Sequence, residues 1–93
     1  MLPSYHLVLA PDQAEAMHRK SLEINEQLGR LEGIASDYRN LGTVYKHRGN
    51  LAAAREHWTK ARDLFAQIDM PHMVAKVQAW LDELDKKDRS DTE

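Results

Sequence analysis

The sequence predicts an all-α protein, an antiparallel helix-turn-helix repeat stack of four helices, and three observations carry the prediction. From Pro11 onward apolar side chains recur at three- and four-residue steps, the spacing that lines one face of a helix. The runs are separated at Gly29, at Gly49-Asn50 and at Asp69-Met70, links so short that consecutive helices must lie antiparallel. Slid along itself by forty residues, the chain sets Ala14 on Ala54, His18 on Trp58, Ser21 on Ala61, Ile24 on Leu64 and Leu28 on Ile68. Self-similarity at such a fixed period marks an array whose units bury their apolar faces on one another.

Each element follows from local chemistry. Residues 1–10 hold Pro3 and a short apolar run, Tyr5-His6-Leu7-Val8-Leu9, without a sustained helical period, and read as an irregular or extended segment. Pro11 suits a first helical position, where a missing N–H costs nothing. Ala14, Met17, His18, Ser21, Ile24, Asn25 and Leu28 then form one face, so the first helix is Pro11 to Leu28. The second, about Arg30 to Arg48, shows Ile34, Ala35, Tyr38, Leu41, Gly42 and Tyr45 and ends at Gly49, a residue suited to a left-handed terminator. Asn50 is a good N-cap for the third, Leu51 to about Gln67, whose stripe is Leu51, Ala54, Trp58, Ala61, Leu64, Phe65 and Ile68. Asp69 is read as the cap of the fourth, with Pro71 in its first turn and Met73, Val74, Val77, Trp80, Leu81 and Leu84 as its stripe. That helix is expected to stop near Lys86, giving a repeat domain over 11–86. The polar residues 87–93, with nothing apolar to bury, are expected to be a disordered, solvated tail.

Within this frame one segment can be matched to a known pattern. Tyr38-x2-Leu41-Gly42-x2-Tyr45, then Gly49, Ala54-x3-Trp58 and Ala61 resembles the tetratricopeptide signature W-x2-L-G-x2-Y…A-x3-F. Bulky places hold bulky residues and small places hold small ones. The departures are Tyr38 for tryptophan, Trp58 for phenylalanine, and a proline displaced to Pro71. The forty-residue period resembles the longer-helix variety of these repeats. The match thins at the ends, where His18 and Ser21 replace an aromatic and an alanine, and Asp82 and Asp85 stand where Gly42 and Tyr45 stand one repeat earlier.

The resemblance implies a protein-protein interaction module, a scaffold or assembly domain that binds a protein or peptide on its concave face. By position the implied contacts are Arg39, Asn40, Thr43, Lys46 and, at the rim, His47. Arg39 and Asn40 resemble part of the arrangement by which some family members hold a peptide carboxylate, and an arginine fork suits that ligand. The matching places in the fourth helix are Ala79, Trp80 and Glu83, so no second cation is expected there. A bland alternative stands beside this one, since the same residues could be a solvated polar face. Repeat arrays usually need polar caps or about three units, and Val77, Trp80, Leu81 and Leu84 offer more apolar width than one neighbour covers. Self-association through these residues, as a homodimer, is therefore expected. The competing reading is a regulatory fragment that docks on another domain of a larger signalling or transcription protein.

Several classes are disfavoured. With 13 basic against 15 acidic residues the net charge is -2, which leaves no electrostatic footprint for nucleic acid. No apolar run approaches a membrane-spanning length, and a cytoplasmic location is expected. There is no cysteine, hence no disulfide framework and no thiolate. Glu15-x-x-His18 has the spacing of half a di-metal carboxylate site, but no second copy follows, so His18 reads as a packing residue in the slot that Trp58 fills one repeat on. No nucleophile elbow or phosphate loop occurs. No enzyme, cofactor or metal is expected.

Overall fold

The computed structural model describes residues 10–92, with side chains at 10 and 12–87. Residues 1–9, expected to be irregular, lie outside the described residues. The order is α1 (Pro11–Leu28), α2 (Leu31–His47), α3 (Leu51–Gln67) and α4 (Pro71–Thr92), and no strand occurs among the described residues. Each helix packs on the next, α1 on α2, α2 on α3 and α3 on α4.

The helices begin at residues 11, 31, 51 and 71, and the same turn is built three times. The residues at 29, 49 and 69 all take positive φ, at 69°, 81° and 60°. At each turn that residue's N–H bonds the carbonyl three back and the next N–H bonds the carbonyl five back. The first bonds are Gly29 to Glu26, Gly49 to Lys46 and Asp69 to Ala66, and the second are Arg30 to Asn25, Asn50 to Tyr45 and Met70 to Phe65, at 2.9–3.2 Å. This is the Schellman closure, which satisfies carbonyls a helix end leaves bare. Asn50 then caps α3, its Oδ1 accepting from the Ala53 N–H at 3.1 Å.

Asp69 differs from expectation. It closes α3 in the left-handed position taken by Gly29 and Gly49 and does not cap α4, which begins after Met70. Its short polar side chain tolerates that conformation better than most L-residues. The end of α4 differs too. The helix continues to Thr92 instead of stopping near Lys86, because Lys86-Lys87-Asp88-Arg89 contains no helix breaker.

The core is centred on α3. Ala54, Trp58, Ala61 and Phe65 are buried there with Ala35 from α2 and Val77, Leu81 and Leu84 from α4. Leu41 and Val44 of α2 are also buried. Full burial of a side chain like Phe65 or Leu41 is worth roughly 1.5–3 kcal/mol, so the apolar driving force sits in α2, α3 and α4. Among the described residues α1 supplies no buried side chain.

Candidate functional site

Between α2 and α4, with α3 as its floor, lies a cavity of about 290 Å³ lined by Lys46, Trp58, Trp80, Glu83, Leu84 and Lys87. Its depth depends on a close approach of helices. Gly42 of α2 faces the indole of Trp58, and a Cβ there would overlap ring atoms Cδ1 and Nε1. With nothing in the way the ring seats against α2, and its Nε1–H donates to the Arg39 carbonyl at 2.9 Å. The Thr43 hydroxyl donates to the same carbonyl at 3.2 Å. Trp58 is thereby pinned and buried, and Trp80 lies on it with ring centroids 5.3 Å apart at 42°. A tilted aromatic pair of this kind is favourable beyond the area it hides.

Charge surrounds this apolar floor. Lys46 comes from α2, and Glu83 and Lys87 come from α4, all three exposed. Two ammonium groups beside one carboxylate leave the rim net positive, a setting that favours an acidic ligand.

Of the five α2 residues expected to touch a ligand, Lys46 alone lines the cavity. Arg39, Asn40 and Thr43 are half-buried and His47 is exposed. Arg39 serves through its backbone oxygen, while its Nη2 donates to Asn40 Oδ1 at 3.4 Å. Lys87, the second cation, was missed because it falls beyond the expected end of α4. Its signal was in the spacing, since Trp80, Glu83 and Lys87 stand at i, i+3 and i+7 on one helix face.

The expected association face of α4 needs correction. Val77, Leu81 and Leu84 are buried within the chain against α3, so one neighbour does cover them. Trp80 is half-buried and belongs to the groove. Large apolar side chains remain exposed elsewhere: Met17 at 49%, Ile24 at 45% and Leu28 at 58% on α1, and Leu31 at 38% where α2 begins.

The α1–α2 seam is polar. Asp37, buried in α2, accepts from Ser21 Oγ at 3.1 Å and from Asn25 Nδ2 at 2.7 Å. Nearer the other end of α1, Tyr45 donates its hydroxyl to Glu15 at 2.6 Å and Arg48 reaches Glu15 at 2.6 Å and Asp12 as well. Arg19 bonds both Glu15 and Tyr45. The Tyr45 hydroxyl, followed by Arg19 and Arg48, lowers the Glu15 pKa to about 2. The same bond to the carboxylate raises that of Tyr45. His18 is half-buried, and among the described residues no cluster of three metal-ligating side chains forms. No helix among them is long and apolar enough to cross a membrane.

A family model described as tetratricopeptide repeat matches residues 6–68. The chain belongs to the tetratricopeptide repeat family. No curated protein and no solved structure matches it. The signature now has a mechanical reading, since the tetratricopeptide glycine, Gly42, is the notch and Trp58 is the ring that fills it. The match stops at Ile68, before α4, where Asp82 and Asp85 take the places of Gly42 and Tyr45. Tetratricopeptide repeats mediate protein-protein interaction, and their stacked helical pairs offer a curved surface for it.

Proposed function

We propose that this protein is a non-catalytic interaction module that holds a segment of a partner polypeptide in the α2–α4 groove. The observation that supports this reading is the grouping of Trp80, on a floor of Trp58 and Leu84, with Lys46 and Lys87. An apolar side chain of the ligand would stack on Trp80, and a neighbouring carboxylate would lie between the two ammonium groups. A few precisely chosen polar groups over an apolar floor are what orient a ligand in such sites. A cytoplasmic setting suits the cysteine-free composition.

The test uses the protein's own reporters. Its two tryptophans, Trp58 and Trp80, both line the groove, so intrinsic fluorescence reads occupancy. A peptide of mixed Glu and Leu with a free carboxyl end should change the emission saturably. Lys46→Glu with Lys87→Glu should weaken that binding by about tenfold or more, and a basic peptide should bind the wild type poorly. Equal binding of the acidic peptide to both proteins, with unchanged circular dichroism, would put the ligand elsewhere.

Self-association is a second reading, favoured by the four large apolar side chains left exposed at α1 and the start of α2. The rival, docking on another domain of a larger regulatory protein, is separated from it by sedimentation. A concentration-dependent dimer favours self-association, and a monomer at every concentration favours docking.

A further inference from the structure

The two ends of the stack are finished differently. On α4 the positions forty residues after Tyr38, Gly42 and Tyr45 are Gln78, Asp82 and Asp85, and their bonds are polar. Gln78 accepts from Arg62 at 2.8 Å and donates to Asp82 at 3.0 Å, and Asp85 accepts from Arg55 at 2.9 Å. On α1 an apolar stripe is exposed among polar residues, with Met17, Ile24 and Leu28 along it and Leu31 beside its end.

The internal repeat shows what such a face ordinarily meets. Forty residues after Met17, Lys20, Ile24 and Leu28 come His57, Lys60, Leu64 and Ile68 on α3. There α2 provides a cover. The His57 ring lies 4.9 Å from that of Tyr45 and 6.0 Å from that of Tyr38, and the Lys60 ammonium lies 5.3 Å from the Tyr38 ring. Leu64 and Ile68 pack against the core. Helix α1 has the α3 pattern, and no helix among the described residues covers it as α2 covers α3.

We infer that a second copy of this chain supplies the cover, the two α1 helices lying antiparallel about a two-fold axis between Lys20 and Ser21. The inference rests on the self-association reading and assigns it a surface. Head-to-tail growth is disfavoured because the exposed positions of α4 include Lys76, Asp82, Glu83 and Lys86, so an apolar stripe meets its match only in another apolar stripe. That is the isologous, closed arrangement. The axis sets Met17 against the partner's Ile24 and Ile24 against the partner's Met17. On the flank of the same stripe, Lys20 and Glu23 are both exposed, and the axis brings Lys20 beside the partner's Glu23 and the reverse. Two opposite-charge contacts thus come with the register that matches the apolar residues. An α1 of 18 residues is only about 27 Å long, so the contact lies near the lower bound of about 1,000 Å² for a specific interface. The dimer is weak and concentration-dependent.

Sedimentation velocity of the full chain over a concentration series tests this. The wild type should pass from monomer to dimer, and Ile24→Asp, at an exposed site that leaves the fold intact by circular dichroism, should weaken association by about tenfold or more. Lys20→Glu should weaken it by a smaller factor, and Lys20→Glu with Glu23→Lys should restore it. A dimer indifferent to Ile24→Asp but lost on Trp80→Ala would overturn the assigned surface while keeping self-association. A wild type monomeric throughout would overturn self-association itself. A monomer that dimerises only after removal of residues 1–9 would give the face to the chain's own N-terminal segment and overturn the inference.

Discussion

The seam between α1 and α2 and the seam between α2 and α3 lie on either side of one helix yet use opposite chemistry. Where α3 presents Trp58, Ala61 and Phe65 to its neighbours, α1 presents His18, Ser21 and Asn25 forty residues earlier. The first set is buried and apolar, and the second is half-buried, with Ser21 and Asn25 bonded to Asp37. Similar backbone geometry is therefore held on one side by shape and on the other by polar bonds. Shape is insensitive to pH and unforgiving of added volume, whereas a polar seam is the reverse.

The largest expected effect separates the seams by volume. Both carry a glycine of α2 at the contact, Gly42 against the Trp58 ring and Gly33 against the amide end of Asn25. Gly42→Val should cost toward the upper end of about 1–3 kcal/mol, since the ring it meets is buried and hydrogen-bonded. Gly33→Ala meets a movable side chain, and the gain of roughly 0.5–1 kcal/mol from replacing a helical glycine offsets the displaced bond. Urea denaturation of both variants measures the contrast. Similar losses would mean that the polar seam is packed as rigidly as the apolar one.

The Gly42–Trp58 seam was legible in the sequence because small and large residues at helical spacing leave few ways to pack. Helix limits were equally legible wherever a glycine closed a turn. The fourth helix was not, since Asp69 can serve either as an N-cap or as a left-handed terminator and the polar stretch after Lys86 can be helix or coil. Lys87 vanished from the groove for that reason. The burial of Val77, Leu81 and Leu84 was hidden for another, because their spacing shows that one face is apolar but not how fully α3 covers it. The exposed stripe on α1 was hidden likewise, since Met17, Ile24 and Leu28 read like any core face until α2 is seen to pack on Ser21 and Asn25.

Next in size is the loss of the buried acceptor in the polar seam. Asp37→Ala removes the shared acceptor of the half-buried Ser21 hydroxyl and Asn25 amide, and because these two still meet each other at 3.4 Å the cost falls toward the lower end of about 1–3 kcal/mol. Local hydrogen exchange should accelerate in α1 and leave α3 protected, because the core of α3 does not include α1. Uniform acceleration over the whole chain would show that α1 and the core unfold as one unit.

Glu15 gives the same seam its pH dependence. Its pKa is lowered from 4.5 to about 2, so the folded form binds this proton less readily than the unfolded one. The stabilisation is complete above about pH 4.5 and disappears as pH falls through about 2. With partly exposed arginines as partners, the effect is on the order of 1 kcal/mol. Glu15→Gln should flatten the stability profile across that window and leave the profile at pH 6–8 parallel to wild type. A wild-type profile already flat from pH 4.5 to 2 would show that the Glu15 bonds add nothing to folding.

The smallest effect tests the turn that recurs at each helix junction of the stack. Gly29, Gly49 and Asp69 adopt one conformation at three successive helix ends, and Asp69 does so against the steric preference of an L-residue. Asp69→Gly removes that strain but adds freedom to the unfolded chain, so the two changes oppose. Because the carbonyls of Phe65 and Ala66 keep their N–H partners, the bonds of the turn do not enter the balance. A net gain of about 0.5 kcal/mol is expected, with Asp69→Ala, which keeps the strain and loses the polar side chain, on the other side of wild type. Thermal unfolding of the three proteins should rank them Gly, Asp, Ala. If Ala ranked above Asp, left-handed strain would not be what distinguishes this turn from the two that glycine closes.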